Sequence, residues 1–178
     1  EDFIEAGYIV DIHKVNMADY GIPQHRERVI IIGQRKDIAD AMIFPFPKAS
    51  HSSNPSSGEL QHISIKQALE RAVLIENDPN SVYSNYKVVY KNFTAHRKTD
   101  PNKPSPTILA RGNGKGGVCA IPHFNGERRL SVRESAIIQT FPTDFIFKGS
   151  MGSCYRQIGN AVPVEFGRLL GKALLLCE

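Results

Sequence analysis

The chain has 178 residues, 41% apolar and 22% charged, which is ordinary for a globular protein with one good core or two small ones and excludes disordered and fibrous classes. No apolar stretch approaches the roughly 20 residues needed to cross a bilayer, and no signal-peptide pattern stands near the first residue, so a cytoplasmic address with no membrane contact is expected. The formal net charge is +4, but it is unevenly spread: from Lys87 to Arg133 there are ten Lys or Arg against two acids, Asp100 and Glu127. Such a block suits a surface that meets phosphate, and it equally suits a solvated basic face. The three cysteines, Cys119, Cys154 and Cys177, form no CxxC pair and have no partnering His motif. Reduced, half-buried thiols are expected, with neither a disulfide framework nor a metal site.

In chain order, Glu1 to Ala6 with Gly7 reads as the last turn of a helix and its glycine cap. Tyr8 to Val15 reads as a strand. Val29 to Ile32 reads as a second strand, apolar on both faces, as in a sheet covered by helices. Ser50 to Gly58, rich in Ser, Asn and Pro, reads as a loop at a domain boundary. Ser64 and Gln67 form a capping box ahead of a short amphipathic helix carrying Ile65, Ala68, Leu69, Ala72 and Val73. From Asn77 to Asn125 prolines and glycines recur between short runs (Tyr86 to Tyr90, Thr107 to Ala110, Val118 to Ile121), which predicts irregular β-structure with long loops. The glycine-rich run Arg111 to Gly117 resembles a phosphate loop in composition only, since it lacks the GK[ST] ending. A second capping box, Ser131 to Glu134, opens a helix that stops at Pro142. Pro163 suits the first turn of a last helix, whose stripe is Phe166, Leu169, Leu170, Ala173, Leu174 and Cys177. On a neighbouring face Gly167 and Gly171, four apart, would let another element approach closely.

One stretch stands out chemically. Ahead of Val29 the residues Gln24, Arg26 and Arg28 alternate with His25 and Glu27. In an extended segment the amide and the two guanidinium groups share one face, a donor-rich surface for phosphate, carboxylate or a base carbonyl. Unpaired charge is costly to bury, so this arrangement at the lip of a core strand implies either internal carboxylate partners or a ligand.

The stretch Gly21-Ile22-Pro23-Gln24-His25-Arg26-Glu27-Arg28-Val29 resembles the QxRxR block of cytosine-5 DNA methyltransferases. Arg128-Arg129-Leu130-Ser131-Val132-Arg133-Glu134, followed by Gln139-Thr140-Phe141-Pro142, resembles that family's R-x-L-[TS]-x-R-E and Q-x-F-P block. Tyr155-Arg156-Gln157-Ile158-Gly159-Asn160-Ala161-Val162-Pro163 resembles its closing GN[AS]V block. The three stand in family order, and together they match the C-terminal part of the family's catalytic unit. The resemblance implies an α/β fold: residues 1–45 as C-terminal strands of a Rossmann-like S-adenosylmethionine-dependent domain, 46–152 as a small, mostly β and irregular target-recognition domain, and 153–178 as a cofactor-side turn and helix.

It further implies a reaction in which a cytosine is flipped out of double-stranded DNA. A cysteine thiolate then attacks C6, C5 takes the methyl group of S-adenosylmethionine, and loss of the C5 proton lets the cysteine be eliminated, as in restriction-modification systems. Arg28 matches the position that donates to the cytosine O2, where charge accumulates. Arg26 matches one that supports the flipped nucleotide's backbone, and Gln24 would order the same surface. Asn160 matches the residue reaching the methionine end of the cofactor. Ala161 stands where a serine is frequent, and Val162 completes that turn. Arg133 is expected to be an internal salt-bridge or carbonyl partner rather than a base reader. In the segment from Phe46 to Glu127, Arg97, Lys98, Lys103, Arg111 and Lys115 are candidate DNA contacts.

The family's nucleophilic cysteine follows a proline, but Cys119, Cys154 and Cys177 follow Val, Ser and Leu. No FxG cofactor loop stands ahead of the QxRxR block, and no Glu-Asn-Val block is present. The chain alone is therefore expected to be inactive. It would be a piece of a longer enzyme or a subunit of a split one, with an exposed sheet edge and final-helix stripe that invite a partner or self-association. A DNA-binding module without chemistry and an activating subunit are the alternatives.

Overall fold

The computed structural model describes residues 2–38, 41–85, 99–110 and 121–177. A short helix, α1 (Asp2–Glu5), ends at Gly7, whose φ of +86° is the left-handed cap conformation that glycine adopts without strain. Strands β1 (Tyr8–Asn16) and β2 (Glu27–Arg35) pair antiparallel, Ile12 opposite Ile31 and Val15 opposite Arg28. Between them lies a 3₁₀ turn, Met17–Tyr20, closed by Gly21 at φ +77°. Strands β3 (His51–Ser52) and β4 (Leu60–Gln61) form a small parallel pair.

The helices follow the capping signals. Ser64 caps α2 (Ile65–Arg71) and Ser131 caps α3 (Val132–Ile138), each with the reciprocal bond from the third helical residue, Gln67 or Glu134. Helix α4 (Met151–Asn160) is capped by Ser150, and α5 (Val164–Leu174) follows after Pro163. Helix α4 is not among the elements that the sequence predicts. Met151, Cys154, Tyr155 and Ile158 recur at helical spacing, and the helix crosses the boundary expected between residues 152 and 153.

Two apolar clusters result. Ile65, Leu130, Val132, Ala136, Ile138, Tyr155 and Ile158 form the larger, binding α2, α3 and α4. Val15, Met17, Ile22 and Phe166 form the smaller, which seats α5 on the β1–β2 hairpin together with Ile30, Phe46 and Leu170.

Two expectations need correction. Among the described residues, the Val29 to Ile32 run is covered on one face only. Ile30 and Ile32 are half-buried, on the side where Phe46 stacks on His13 at 3.6 Å, whereas Ile12, Val29 and Ile31 on the other face are 63%, 59% and 51% exposed. Thr107 to Ala110 forms no strand. Its backbone is held by side chains of the β2 approach, and only Ser105 makes a β-bridge, to Gln24. The remaining runs, Tyr86 to Tyr90 and most of Val118 to Ile121, lie outside the described residues, as does the Arg111 to Gly117 segment. Gly167 and Gly171 have no neighbour near their missing Cβ positions among the described residues. Leu174, assigned to the helix stripe, is exposed, while Phe166 and Ala173 are buried.

Candidate functional site

The approach to β2 is shaped by Asn16. Its side-chain oxygen accepts from the Ala18 and Arg26 backbone N–H groups (3.4 and 3.1 Å), and Met17 N donates to Arg26 O, which brings residues 22–26 out of the turn extended. This segment lies along 105–108: His25 N donates to Ser105 O (2.8 Å) and Ser105 N to Pro23 O (2.9 Å). As the alternation predicts, Gln24 and Arg26 turn to one side, into a polar seam between the two apolar clusters.

Gln24 is fully buried. Ile108 N donates to its Oε1 (2.8 Å), its Nε2 donates to Gln139 Oε1 (2.9 Å), and Gln139 Nε2 donates to Ile158 O (2.8 Å). A backbone N–H can only donate and a carbonyl only accept, so the two ends fix the orientation of both amides. Arg26, also buried, completes the seam with Nη1 on Ile108 O (2.9 Å) and Nη2 on Gly159 O (3.2 Å). The Ile108 peptide is thus held at its N–H by Gln24 and at its carbonyl by Arg26. Burial lowers the Arg26 pKa, and the neighbouring Arg28 charge lowers it further.

Arg28 differs. It is exposed, its Nη1 donates to the Glu27 carbonyl (2.6 Å), and it forms no ion pair among the described residues. Glu27 pairs instead with Lys14 at 3.3 Å. The cationic face at the lip of the strand therefore has no carboxylate of its own among the described residues, and Arg28 is its accessible end.

Arg133 behaves as the sequence suggests. It donates through Nε and Nη2 to the two Asp78 carboxylate oxygens (2.6 and 3.0 Å), and both side chains are 2% exposed. The Arg133 hydrogen bond holds the Asp78 carboxyl below its usual range. Glu134 receives a two-point contact from Arg128 at 2.7 Å. Burial pushes the Glu134 carboxyl up, but the Arg128 and Ser131 hydrogen bonds and the nearby positive charges outweigh it and leave it lowered. Arg128, Ser131, Arg133 and Glu134 line a cavity of about 190 Å³ with Leu74, Ser81 and Tyr83, where the Arg128 guanidinium sits 5.0 Å over the Tyr83 ring.

The turn after α4 presents Asn160 and Val162 to solvent, with Ala161 half-buried. An exposed amide that can both donate and accept beside an apolar side chain fits the zwitterionic end of an amino-acid-like cofactor. Gly159 is buried against the chain at 109–110: a Cβ there would lie 2.3 Å from Ala110 N and 2.4 Å from the Leu109 carbonyl carbon. Gly159 and Gln139 stand within the sequence blocks, but the blocks assign neither of them a role. The available signal for Gln139 was its place three residues after Ala136, on the buried side of α3.

Among the candidate DNA contacts, Lys103 is exposed and lies 3.9 Å from Asp100. Arg97, Lys98, Arg111 and Lys115 lie outside the described residues, and so does Cys119. Cys154 is buried, with its thiol pKa raised by that burial, and Cys177 is half-buried; both are free thiols.

The family model for C-5 cytosine-specific DNA methylases matches residues 1–175. The chain belongs to this family. It is 32% identical to the type II methyltransferase M.NgoFVII of Neisseria gonorrhoeae, over 98% of this chain and 52% of that protein. It is 34% identical to M.BsuRI of Bacillus subtilis, over 98% and 43%. The chain therefore spans about half the length of the curated relatives it matches. The S. pombe Dnmt2 methyltransferase structure shares the fold, with a TM-score of 0.60 at 18% identity over 98% of this chain and 59% of that one. This places the described helices and strands within an α/β methyltransferase fold. No helix among the described residues is long and apolar enough to cross a membrane.

Proposed function

We propose that this chain is the target-recognition and charge-stabilising part of a DNA (cytosine-5) methyltransferase of the restriction-modification type. The observation that carries the reading is the contrast along one strand face: Arg26 is anchored on two carbonyls, while Arg28 beside it is exposed and lacks an ion-pair partner among the described residues.

Addition of a thiolate to C6 of a flipped cytosine pushes electron density onto the O2 carbonyl. A pre-positioned guanidinium that already exists as a cation stabilises that density without reorganising. Arg28 is that group. Arg26 and Gln24 hold its strand against the 105–108 segment and the end of α4, which fixes the position of the cation relative to both. Asn160, with the Ala161 and Val162 backbone, would hold the methionine end of S-adenosylmethionine, which supplies the methyl group when bound. Lys103, with Arg97, Lys98, Arg111 and Lys115, would contact phosphates of double-stranded DNA.

The nucleophile comes from elsewhere, because Cys154 is buried with a raised pKa and none of the three thiols follows a proline. Alone, the chain would not transfer methyl groups. The open face of Ile12, Val29 and Ile31 is the surface that the remaining catalytic portion, as a longer chain or a partner subunit, would cover; self-association through it is the competing use.

The test is Arg28→Ala in the completed enzyme. Methyl transfer should fall by about 100-fold or more, as for removal of a donor to a developing oxyanion, while DNA affinity changes by less than about threefold. An equal fall in both would refute the assigned role and favour a plain DNA-binding module.

A further inference from the structure

Thr140 is a β-branched residue at φ +59°, in the left-handed region that such side chains avoid. Backbone strain of this kind persists only where surrounding contacts over-determine it. Those contacts converge on one place, the turn between α4 and α5. Gln139 Nε2 donates to Ile158 O in the last turn of α4, and Val164 N, at the start of α5, donates to Gln139 O (3.1 Å). Glu165 N donates to Thr140 Oγ1 (3.0 Å). Helix α5 has no side-chain cap from Pro163, the residue before it. Its first free N–H groups are satisfied from across the molecule by the Gln139–Thr140 corner, which does the work of an N-cap.

We propose that Gln139 and Thr140 are positioning residues for cofactor binding: their corner clamps both ends of the Asn160–Pro163 turn and thereby sets the direction of the Asn160 amide. This deepens the reading given above and rests on it. The geometry carries the link, because a corner holding only α4 or only α5 would leave the four-residue turn free to pivot, whereas this one holds both. Through Gln24 the same amide relay reaches Ile108 and the segment carrying Arg26 and Arg28, so the cofactor-side turn and the guanidinium strand share one scaffold.

The experiment compares Thr140→Ala, Thr140→Ser and Thr140→Gly. Glycine accepts φ +59° without strain, so Thr140→Gly removes the hydroxyl while relieving the backbone. In this chain, amide hydrogen exchange at Glu165 should rise about tenfold in the Ala and Gly variants, the loss expected for a helix cap, and return to the wild-type rate in Thr140→Ser. In the catalytically complete assembly, KM for S-adenosylmethionine should rise about tenfold in the Ala and Gly variants, and KM for DNA should stay within about twofold. Unchanged exchange at Glu165 would overturn the inference, as would a rise of both KM values together. An assembly in which even the wild-type chain supports no methyl transfer would sink the functional reading and the cofactor arm with it, while the exchange comparison still decides whether the corner holds the turn.

Discussion

Gly159 offers a sharp test of the seam, because two known effects oppose each other there. In a helix, Ala is favoured over Gly by about 1 kcal/mol. At Gly159 the added Cβ would stand 2.3 Å from Ala110 N and 2.4 Å from the Leu109 carbonyl carbon, both backbone atoms that no rotamer change can move. Ordinary contact requires about 3.5 Å or more, so the end of α4 and the 109–110 backbone must separate by roughly 1 Å. Arg26 Nη2 already reaches Gly159 O at 3.2 Å and Nη1 reaches Ile108 O at 2.9 Å, so it cannot keep both bonds across the wider gap. Loss of one hydrogen bond from a charged donor costs about 2 kcal/mol, and overpacking adds about 2 more. Against the helix gain, Gly159→Ala should destabilise by about 3 kcal/mol. With a slope of about 2 kcal/mol per molar urea, the unfolding midpoint falls by about 1.5 M. Gly167→Ala is the control: it is exposed on α5 with no atom near its missing Cβ, and its midpoint should rise slightly. A Gly159→Ala midpoint equal to or above wild type would show that the two segments are not held in this contact, and the account of Arg26 would fail.

Removing Asp78 (Asp78→Ala) strands the buried Arg133 cation and should cost about 3–5 kcal/mol in urea unfolding, whereas the exposed Arg28→Ala should stay within about 0.5 kcal/mol of wild type. Acid should weaken the fold in two steps. His25 and His51 both have lowered pKa values, through burial first and the neighbouring His62 second, so the unfolded chain takes up protons before the folded one. Their contribution is complete above pH about 6.5 and is lost as pH falls toward their folded values. Asp78 and Glu134, also lowered, add a second loss below pH about 4. Replacing both histidines by Gln should remove the first step from a plot of urea midpoint against pH and leave the second. Replacing the facing pair Ile12 and Ile31 by Lys and Glu should leave the hairpin folded and abolish association through that face, measured by sedimentation with the complementing portion.

Local signals in the sequence survived because their partners are local. Ser64 with Gln67 and Ser131 with Glu134 are three residues apart, and both helices begin where those pairs place them. Alternation in an extended segment correctly put Gln24 and Arg26 on one side. What the sequence could not supply is the other half of each long-range contact. Arg133 could be read as an internal partner, but Asp78 stands 55 residues away. Gln139 meets Gln24 across 115 residues. Helix α4 is hard to read from sequence because Gly152, Ser153 and Gly159, all weak helix formers, interrupt its apolar spacing. Gly159 is in fact required by a close crossing of two segments, which no local pattern announces. The Val29 to Ile32 run misled for the opposite reason, since its composition speaks of a double cover while its packing within this chain supplies one.

The grip on Ile108 is made on main-chain atoms, by an amide at its nitrogen and a guanidinium at its oxygen. Every amino acid except proline offers the same two handles. The exposed Pro106 and Leu109 beside it can therefore change over evolutionary time without the loop slipping its anchorage.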